Sequence, residues 1–206
     1  MAGLFITFEG IDGVGKSTQA DLLETFLVEQ NQSVVRTIEP GGTELGQEIR
    51  HLLLHRKGEV APRAEALLYA ADRAHHVATK IRPAIAAGQV VIGDRYLDSS
   101  VAYQGAGREL DQAEVRNISI WAVEGLLPNL TILLDLEASA AFSRRNQTGT
   151  EPDRLESEKV EFFESVRESY LKLAAAEPER FLVVDASQSI DEMQAQIRSR
   201  VKALLS

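Results

Sequence analysis

Short, uninterrupted apolar runs recur along the chain, and each is followed by a stretch in which apolar residues repeat at helical spacing. The runs are LFITF from Leu4 to Phe8, SVVRTI from Ser33 to Ile38, VVIG from Val90 to Gly93, LTILLD from Leu130 to Asp135 and FLVVD from Phe181 to Asp185. A strand with one wet face alternates apolar and polar residues. These runs are continuous, so they read as strands covered on both faces, as in a parallel sheet with crossover helices. The pattern predicts an α/β fold with a doubly wound five-stranded parallel sheet and helices on both faces.

The intervening segments fit that reading. Leu22, Leu23, Phe26 and Leu27 fall on one helical face after the first run. Ser189 followed three residues later by Glu192 reads as a capping box opening a last helix. No linker, internal repeat or low-complexity tract interrupts the 206 residues, which are expected to form a single domain. From Asn146 to Asp153 the chain reads NQTGTEPD, polar apart from glycine and one proline; such a piece buries little and is expected to be mobile.

Composition narrows the classes of function. Apolar residues make up 44% and charged residues 26%, ordinary globular usage. The absence of cysteine excludes a disulfide framework, a thiolate metal site and a cysteine nucleophile, and favours a cytoplasmic setting. Twenty-two basic against thirty-one acidic side chains leave a net charge of −9. That is the wrong sign for tracking a phosphate backbone, so no nucleic-acid partner is expected. No basic leader and no long apolar segment suggest a membrane or export; the Asn-x-Ser/Thr matches at Asn117, Asn129 and Asn146 are therefore given no meaning.

The sharpest signal follows the first strand. Gly10, Ile11, Asp12, Gly13, Val14, Gly15, Lys16 and Ser17 match G-x-x-x-x-G-K-[ST], between a buried strand and an amphipathic helix as phosphate binding requires. Glycines let backbone N–H groups wrap a polyphosphate, Lys16 brings a point charge, the Ser17 hydroxyl ligates magnesium, and the helix N-terminus that continues into Thr18 adds its positive end. This predicts ATP as a ligand and a P-loop fold. A loop of this kind also serves switches and motors. No asparagine precedes a lysine, which disfavours a guanine-reading switch, and one domain leaves little room for a motor. Phosphoryl transfer to a small acceptor leads; a nucleotide-dependent switch or assembly ATPase is the alternative.

Asp94, Arg95 and Tyr96 emerge at the carboxyl end of a buried strand, where open α/β sheets place ligands. An aspartate there can hold magnesium and an arginine can fork onto a phosphate; a solvated ion pair is the plainer alternative. A helix is expected from Ala64 to about Ala87. At 100° per residue, Leu67, Ala71, Ala74, Ala78, Ile81 and Ile85 fall within about 80° of arc and predict a closely packed stripe. Tyr69 and Arg73 lie at roughly 200° and 240° from Leu67, facing solvent or a cleft. A ring beside a guanidinium can read one nucleobase; an exposed tyrosine beside an arginine paired to Asp72 or Glu65 is the alternative. Glu39-Pro40-Gly41-Gly42-Thr43 is a turn aimed at the same rim. The histidines His51, His55, His75 and His76 are expected on the solvated surface, without a role.

FEGIDGVGKSTQ, EPGGT, LLYAADRAHH, DRYLDSSVAYQG, DRLE and a terminal DAS segment occur in this order across the chain, and together they resemble the bacterial thymidylate kinases. The resemblance implies transfer of the ATP γ-phosphoryl group to dTMP with magnesium, by a cytoplasmic homodimer. It makes Tyr69 the ring that stacks on thymine and Arg73 the donor to its exocyclic oxygen. Ser100 and Gln104 would read the remaining base edge, and Tyr103 would crowd the sugar 2′ position. Arg95 would grip the acceptor phosphate, Asp12 would touch the 3′ hydroxyl or the metal, and Asp94 would orient magnesium. The chain departs from the family where some members carry a P-loop arginine, here the stretch Asp12-Gly13-Val14, and in a lid at about 143–155 with Gln147 and Gly149 at positions often basic. Of its lid arginines, Arg145 and Arg154 are the candidates to neutralise the transferring phosphoryl group, with stacking on adenine a second role open to Arg145. A kinase for another nucleoside monophosphate is the neighbouring alternative, and pairing of the helices at 64–87 and 115–126 is the implied subunit contact.

Overall fold

The computed structural model describes residues 3–146, 153–155 and 157–205. All five apolar runs are strands: β1 Leu4–Glu9, β2 Val34–Ile38, β3 Val90–Asp94, β4 Leu130–Asp135 and β5 Phe181–Asp185. They form one parallel sheet in the order β2-β3-β1-β4-β5. The helices are α1 Lys16–Glu29, α2 Glu44–Arg50, α3 Pro62–His76, α4 Arg82–Ala86, α5 Leu97–Ser100, α6 Gln112–Ala122, α7 Ala138–Asn146, α8 Val160–Ala176 and α9 Ile190–Leu205. Wider π-helical turns follow α2 (His51–His55), α3 (Val77–Ile81) and α5 (Val101–Gly107).

Alternate residues of β1 explain why the runs are continuous. Ile6 and Phe8 enter a core shared with α1, α8 and α9, while Phe5 enters a second core with Val77, Ile81, Val91 and Leu97. Both faces of the sheet are thus covered. The Ser189 capping box forms as expected: the Ser189 backbone N–H donates to Glu192 Oε2 at 3.0 Å, and the Glu192 N–H donates to Ser189 Oγ at 3.3 Å.

The stripe predicted on the helix after Ala64 is not buried as a unit. Leu67 is 55% exposed, Ala71 and Ala78 are exposed and Ala74 is partly so, whereas Glu65, Tyr69, Asp72, Arg73 and His76 are buried. One physical reason accounts for this: the inward face of α3 meets a polar cavity and a set of ion partners in place of an apolar core. The apolar part of the inward face comes only later, where Val77, Ile81 and Ala84, spaced i, i+4 and i+7, enter the second core. The expected helix at 115–126 runs instead from Gln112 to Ala122, capped by Asp111.

Strand register sets the height of the site. Asp94 lies level with Phe8 on β1 and with Ile38 on β2, so the residues after all three strands reach one rim. Below it, the Arg180 guanidinium forks onto Asp98 at 2.6 and 2.9 Å and pins α5. Glu9, wholly buried at the end of β1, accepts hydrogen bonds from the Tyr96 N–H (2.8 Å), Ser99 Oγ (2.6 Å) and the Tyr170 hydroxyl of α8 (2.8 Å).

Burial, with the nearby Asp98 carboxylate, pushes the Glu9 carboxyl up to about 7, against hydrogen bonds that favour its charge. The folded protein therefore keeps a proton that an unfolded chain releases near 4.5. Stability from this source is full below 4.5 and lost as pH rises through 7. Glu9→Gln should remove that slope: in urea denaturation at about pH 5 and pH 8, the parent should lose more stability than the variant, and parallel losses would show that Glu9 titrates as an ordinary carboxylate.

Candidate active site

The loop after β1 folds as its glycines dictate. Gly10 has φ 128°, and a Cβ there would meet the Leu134 carbonyl oxygen at 2.5 Å; Gly13 has φ 89°, and its Cβ would meet that of Ala141 at 2.3 Å. Only glycine tolerates both the left-handed backbone and the close approach. Ile11 and Val14 are buried anchors beneath the loop. Lys16, only 7% exposed, turns its ammonium onto the loop itself, donating to the Gly10 and Ile11 carbonyls at 3.1 and 2.9 Å and to Asp12 at 3.4 Å.

A cavity of about 450 Å³ opens at the rim. It is lined by Asp12, Gly13, Gly15, Lys16, Ser17 and Thr18 of the loop and first helix, by Tyr69, Arg73, Ser100, Tyr103 and Gln104, and by Asp94 and Arg95. The fold therefore brings together residues from the loop, α3, β3, α5 and the turn after it. Gly10, Ile11 and Val14 do not line the cavity, and support the loop from below.

Arg95 adopts a left-handed backbone (φ 68°), a conformation that costs a side-chain-bearing residue about 1–2 kcal/mol. Its guanidinium donates to Asp12 Oδ1 (2.5 Å), the Tyr103 hydroxyl (3.1 Å), the Gly10 carbonyl (3.2 Å) and Ser99 Oγ (3.2 Å). Burial alone would raise the Asp12 carboxyl, but Arg95 and Lys16 beside it hold it well below the usual carboxylate range. Burial lowers the Lys16 ammonium, helped by repulsion from Arg95 and opposed by Asp12 and Asp94. Two cations thus converge on one carboxylate at the cavity wall.

Arg73 is 1% exposed. It donates to Glu39 Oε2 (2.6 Å), Ser100 Oγ (3.1 Å) and the Tyr96 carbonyl (3.2 Å). Its ion partner is Glu39, not the Asp72 or Glu65 that helical spacing suggests. Glu39 Oε1 also meets His76 Nδ1 at 2.9 Å, and His76 Nε2 lies 2.6 Å from Thr37 Oγ1. His76 is buried, contrary to its expected place on the surface, because it completes the shell of Glu39. Spacing does show that Glu65, Tyr69 and Arg73 share a face at i, i+4 and i+8. The roles of Glu39 in the EPGGT turn and of Glu65 could have been read from that rim and that face; nothing local points to Tyr170, which arrives from α8.

Arg145 lines the cavity with its guanidinium 4.6 Å from the Phe142 ring. Arg154 does not: it donates to the Leu53 carbonyl at 2.8 Å and pairs with Glu65. Arg144 lines the cavity too and donates to the Ala186 carbonyl at 2.9 Å, in the DAS segment. Gln147 and Gly149 of the expected lid lie outside the described residues. Asp94 Oδ1 is buried without a hydrogen-bond partner among the described residues, in a cavity that Ser17 also lines. A hard oxygen donor left unsatisfied beside a serine suits magnesium, which takes few protein ligands and keeps waters and phosphates for the rest.

The family model described as thymidylate kinase matches residues 8–197. The chain is 65% identical over 199 residues to the thymidylate kinase of Leifsonia xyli subsp. xyli, covering 97% of this chain and 94% of that one. It is 62% identical over 205 residues to that of Clavibacter sepedonicus, covering 100% and 97%. The crystal structure of thymidylate kinase from Ehrlichia chaffeensis superposes with a TM-score of 0.80 at 30% identity, over 98% of this chain and 99% of that one. A P-loop, an arginine at the end of β3 and an α3 tyrosine and arginine facing one cavity are thus joined to likeness along the whole chain, which belongs to the thymidylate kinase family.

Proposed function

We propose that this protein transfers the γ-phosphoryl group of ATP to the 5′-phosphate of dTMP, releasing dTDP and ADP. The observation that carries this reading is a single cavity whose lining combines phosphate-binding chemistry with a ring, an arginine and an amide. An oxygen of the dTMP phosphate attacks the γ-phosphorus, and the bond from that phosphorus to the oxygen bridging to the β-phosphate breaks. The protein forms no covalent bond; it works by alignment and by neutralising charge. Neither another monophosphate as acceptor nor a switch or assembly role is favoured for a chain this similar to thymidylate kinases throughout.

The assignment of roles extends that reading. The backbone of Asp12, Gly13 and Gly15 to Thr18 cradles the triphosphate, with Gly10, Ile11 and Val14 supporting the loop beneath, and Lys16 moves from the loop carbonyls to its oxygens. Ser17 and Asp94 would hold magnesium, which when bound supplies positive charge against the phosphates. Arg95 receives the acceptor phosphate, Asp12 the sugar 3′ hydroxyl, and Tyr103 closes the 2′ side. Tyr69 stacks on the base, while Arg73, Ser100 and Gln104 read its edge. Arg145, which lines the cavity, is the lid cation that meets the transferring group; Arg154, paired with Glu65, takes no part in it. We place the enzyme in the cytoplasm, in keeping with described helices none of which is long and apolar enough to cross a membrane. We also propose a homodimer, supported by Leu67, Ile118 and Trp121, which leave apolar side chains 55%, 38% and 80% exposed on α3 and α6.

An assay of ADP release with dTMP, dUMP, dCMP, AMP and GMP as acceptors should show preference for dTMP; indifference among them would remove the substrate from this reading, and release that ignores every acceptor would remove the kinase. Lys16→Ala should cut kcat by a factor of about 10²–10³ or more, read under saturating substrates. Arg73→Ala should cost about 1–3 kcal/mol in kcat/KM for dTMP through loss of a buried hydrogen bond to the base, with KM for ATP little changed. Sedimentation should give twice the chain mass for the parent, and Trp121→Glu should shift it toward the monomer; a parent that sediments as a monomer would end the dimer proposal.

A further inference from the structure

Glu65 is wholly buried, yet no step of the transfer needs it. A buried carboxylate is costly unless hydrogen-bond donors surround it, and here three converge. Gln104 Nε2 donates to Oε1 at 2.9 Å, Arg108 Nε donates to the same oxygen at 3.4 Å, and Arg154 Nη2 donates to Oε2. Arginine has no acceptor, so with both guanidinium groups pointing at it Glu65 can only accept. That fixes the sense of the Gln104 side chain. A primary amide has one donor end and one acceptor end; with its NH2 group drawn to Glu65, the carbonyl oxygen is the end left to offer to the cavity that Gln104 lines.

The same logic runs the opposite way at the neighbouring reader. Arg73 has N–H groups alone to offer: Glu39, the Tyr96 carbonyl, Ser100 and Ser119 accept from it, and whatever it turns to the cavity is a donor. The cavity wall therefore presents donors at Arg73 and an acceptor at Gln104. A pyrimidine that carries an exocyclic oxygen next to a ring N–H, thymine or uracil, complements that order. Cytosine carries an amino group next to an unprotonated ring nitrogen, and opposes it at both points. A mismatch there leaves buried polar groups unpaired, which discriminates far more strongly than shape does.

We propose that Glu65 is a positioning residue for acceptor specificity, locking the Gln104 amide so that the site offers a hydrogen-bond acceptor to the base and rejects cytosine. The inference rests on the reading of dTMP as acceptor. Glu65→Gln keeps the size of the side chain and can donate as well as accept, so it frees the Gln104 amide to turn over.

The test is kcat/KM for dTMP and dCMP in the parent, Glu65→Gln and Arg108→Ala. The dTMP to dCMP ratio should fall at least tenfold in Glu65→Gln, mostly through KM for dTMP, with KM for ATP unmoved. Arg108→Ala removes one donor from Glu65 but leaves its bond to Gln104, and should keep the parent's ratio whatever its rate. A purely structural Glu65 would slow both acceptors alike and leave the ratio intact, which would overturn the inference. A parent that does not favour dTMP over dCMP would overturn the acceptor reading and this inference with it. Should Glu65→Gln fail to fold, the parent still decides: the Gln104 side-chain NH2 resonances should show a hydrogen bond before dTMP is added and keep it afterwards, and transfer of that bond to the base would overturn the proposal.

Discussion

Parallel register at the centre of the sheet is the constraint on which the site depends. β1 lies between β3 and β4, and β3 lies between β1 and β2, so three consecutive strands end at one height, with Phe8, Asp94 and Ile38 side by side. A parallel sheet must return each chain through a crossover on its face, which places every strand's exit at the same edge. The phosphate loop, the Arg95 turn and the Glu39 turn therefore face each other without any long-range recognition between them. The two apolar cores on either side of β1 hold that alignment; a slip of one residue would exchange Phe5 with Ile6 across the sheet and lift Asp94 away from the loop.

On this frame the polar groups of the site are held by buried carboxylates. Glu9 binds Tyr96, Ser99 and Tyr170, Glu39 binds Arg73 and His76, and Glu65 binds Gln104, Arg108 and Arg154. An acid so buried is tolerated only with its partners in place, so each fixes the side chains around it before any ligand enters. Preorganisation of this kind lowers the ordering cost of binding. It also explains why α3 turns its charged face inward: the residues that look polar in sequence are the ones the interior needs.

That inversion marks where the sequence was legible and where it was not. Five strands and the phosphate loop could be read because each is local: a continuous apolar run, or glycines at fixed offsets from a lysine. Arg95 and Asp94 could be read from their place after β3. The apolar stripe does not mark the inner face of α3, since helical projection takes apolar residues to point inward, and along α3 the buried face carries Glu65, Tyr69, Asp72, Arg73 and His76. Their distance from that stripe leaves Tyr69 and Arg73 facing solvent or a cleft, and the fold turns both into the cavity. The partners of Arg73 and Gln104 are not legible locally, because Glu39 and Glu65 act across 34 and 39 residues of chain. Arg154 likewise looked like a cation for the phosphates, and in the folded chain its charge is spent on Glu65.

The remaining charges at the rim are arranged for exchange. Lys16 and Arg95 both lean on Asp12, while Lys16 also satisfies two carbonyls of its own loop. Such contacts keep two mutually repelling cations close in a partly buried wall, where either alone would be expensive. Phosphate oxygens carry more charge than the carbonyls they replace, so a triphosphate competes for Lys16 with a stronger acceptor set. Arg95 meets the same carboxylate oxygen, Asp12 Oδ1, and lies within 3.2 Å of the Gly10 carbonyl and of Ser99. One carboxylate oxygen thus holds both cations together at the cavity wall, and an anion that draws either of them away must compete with it.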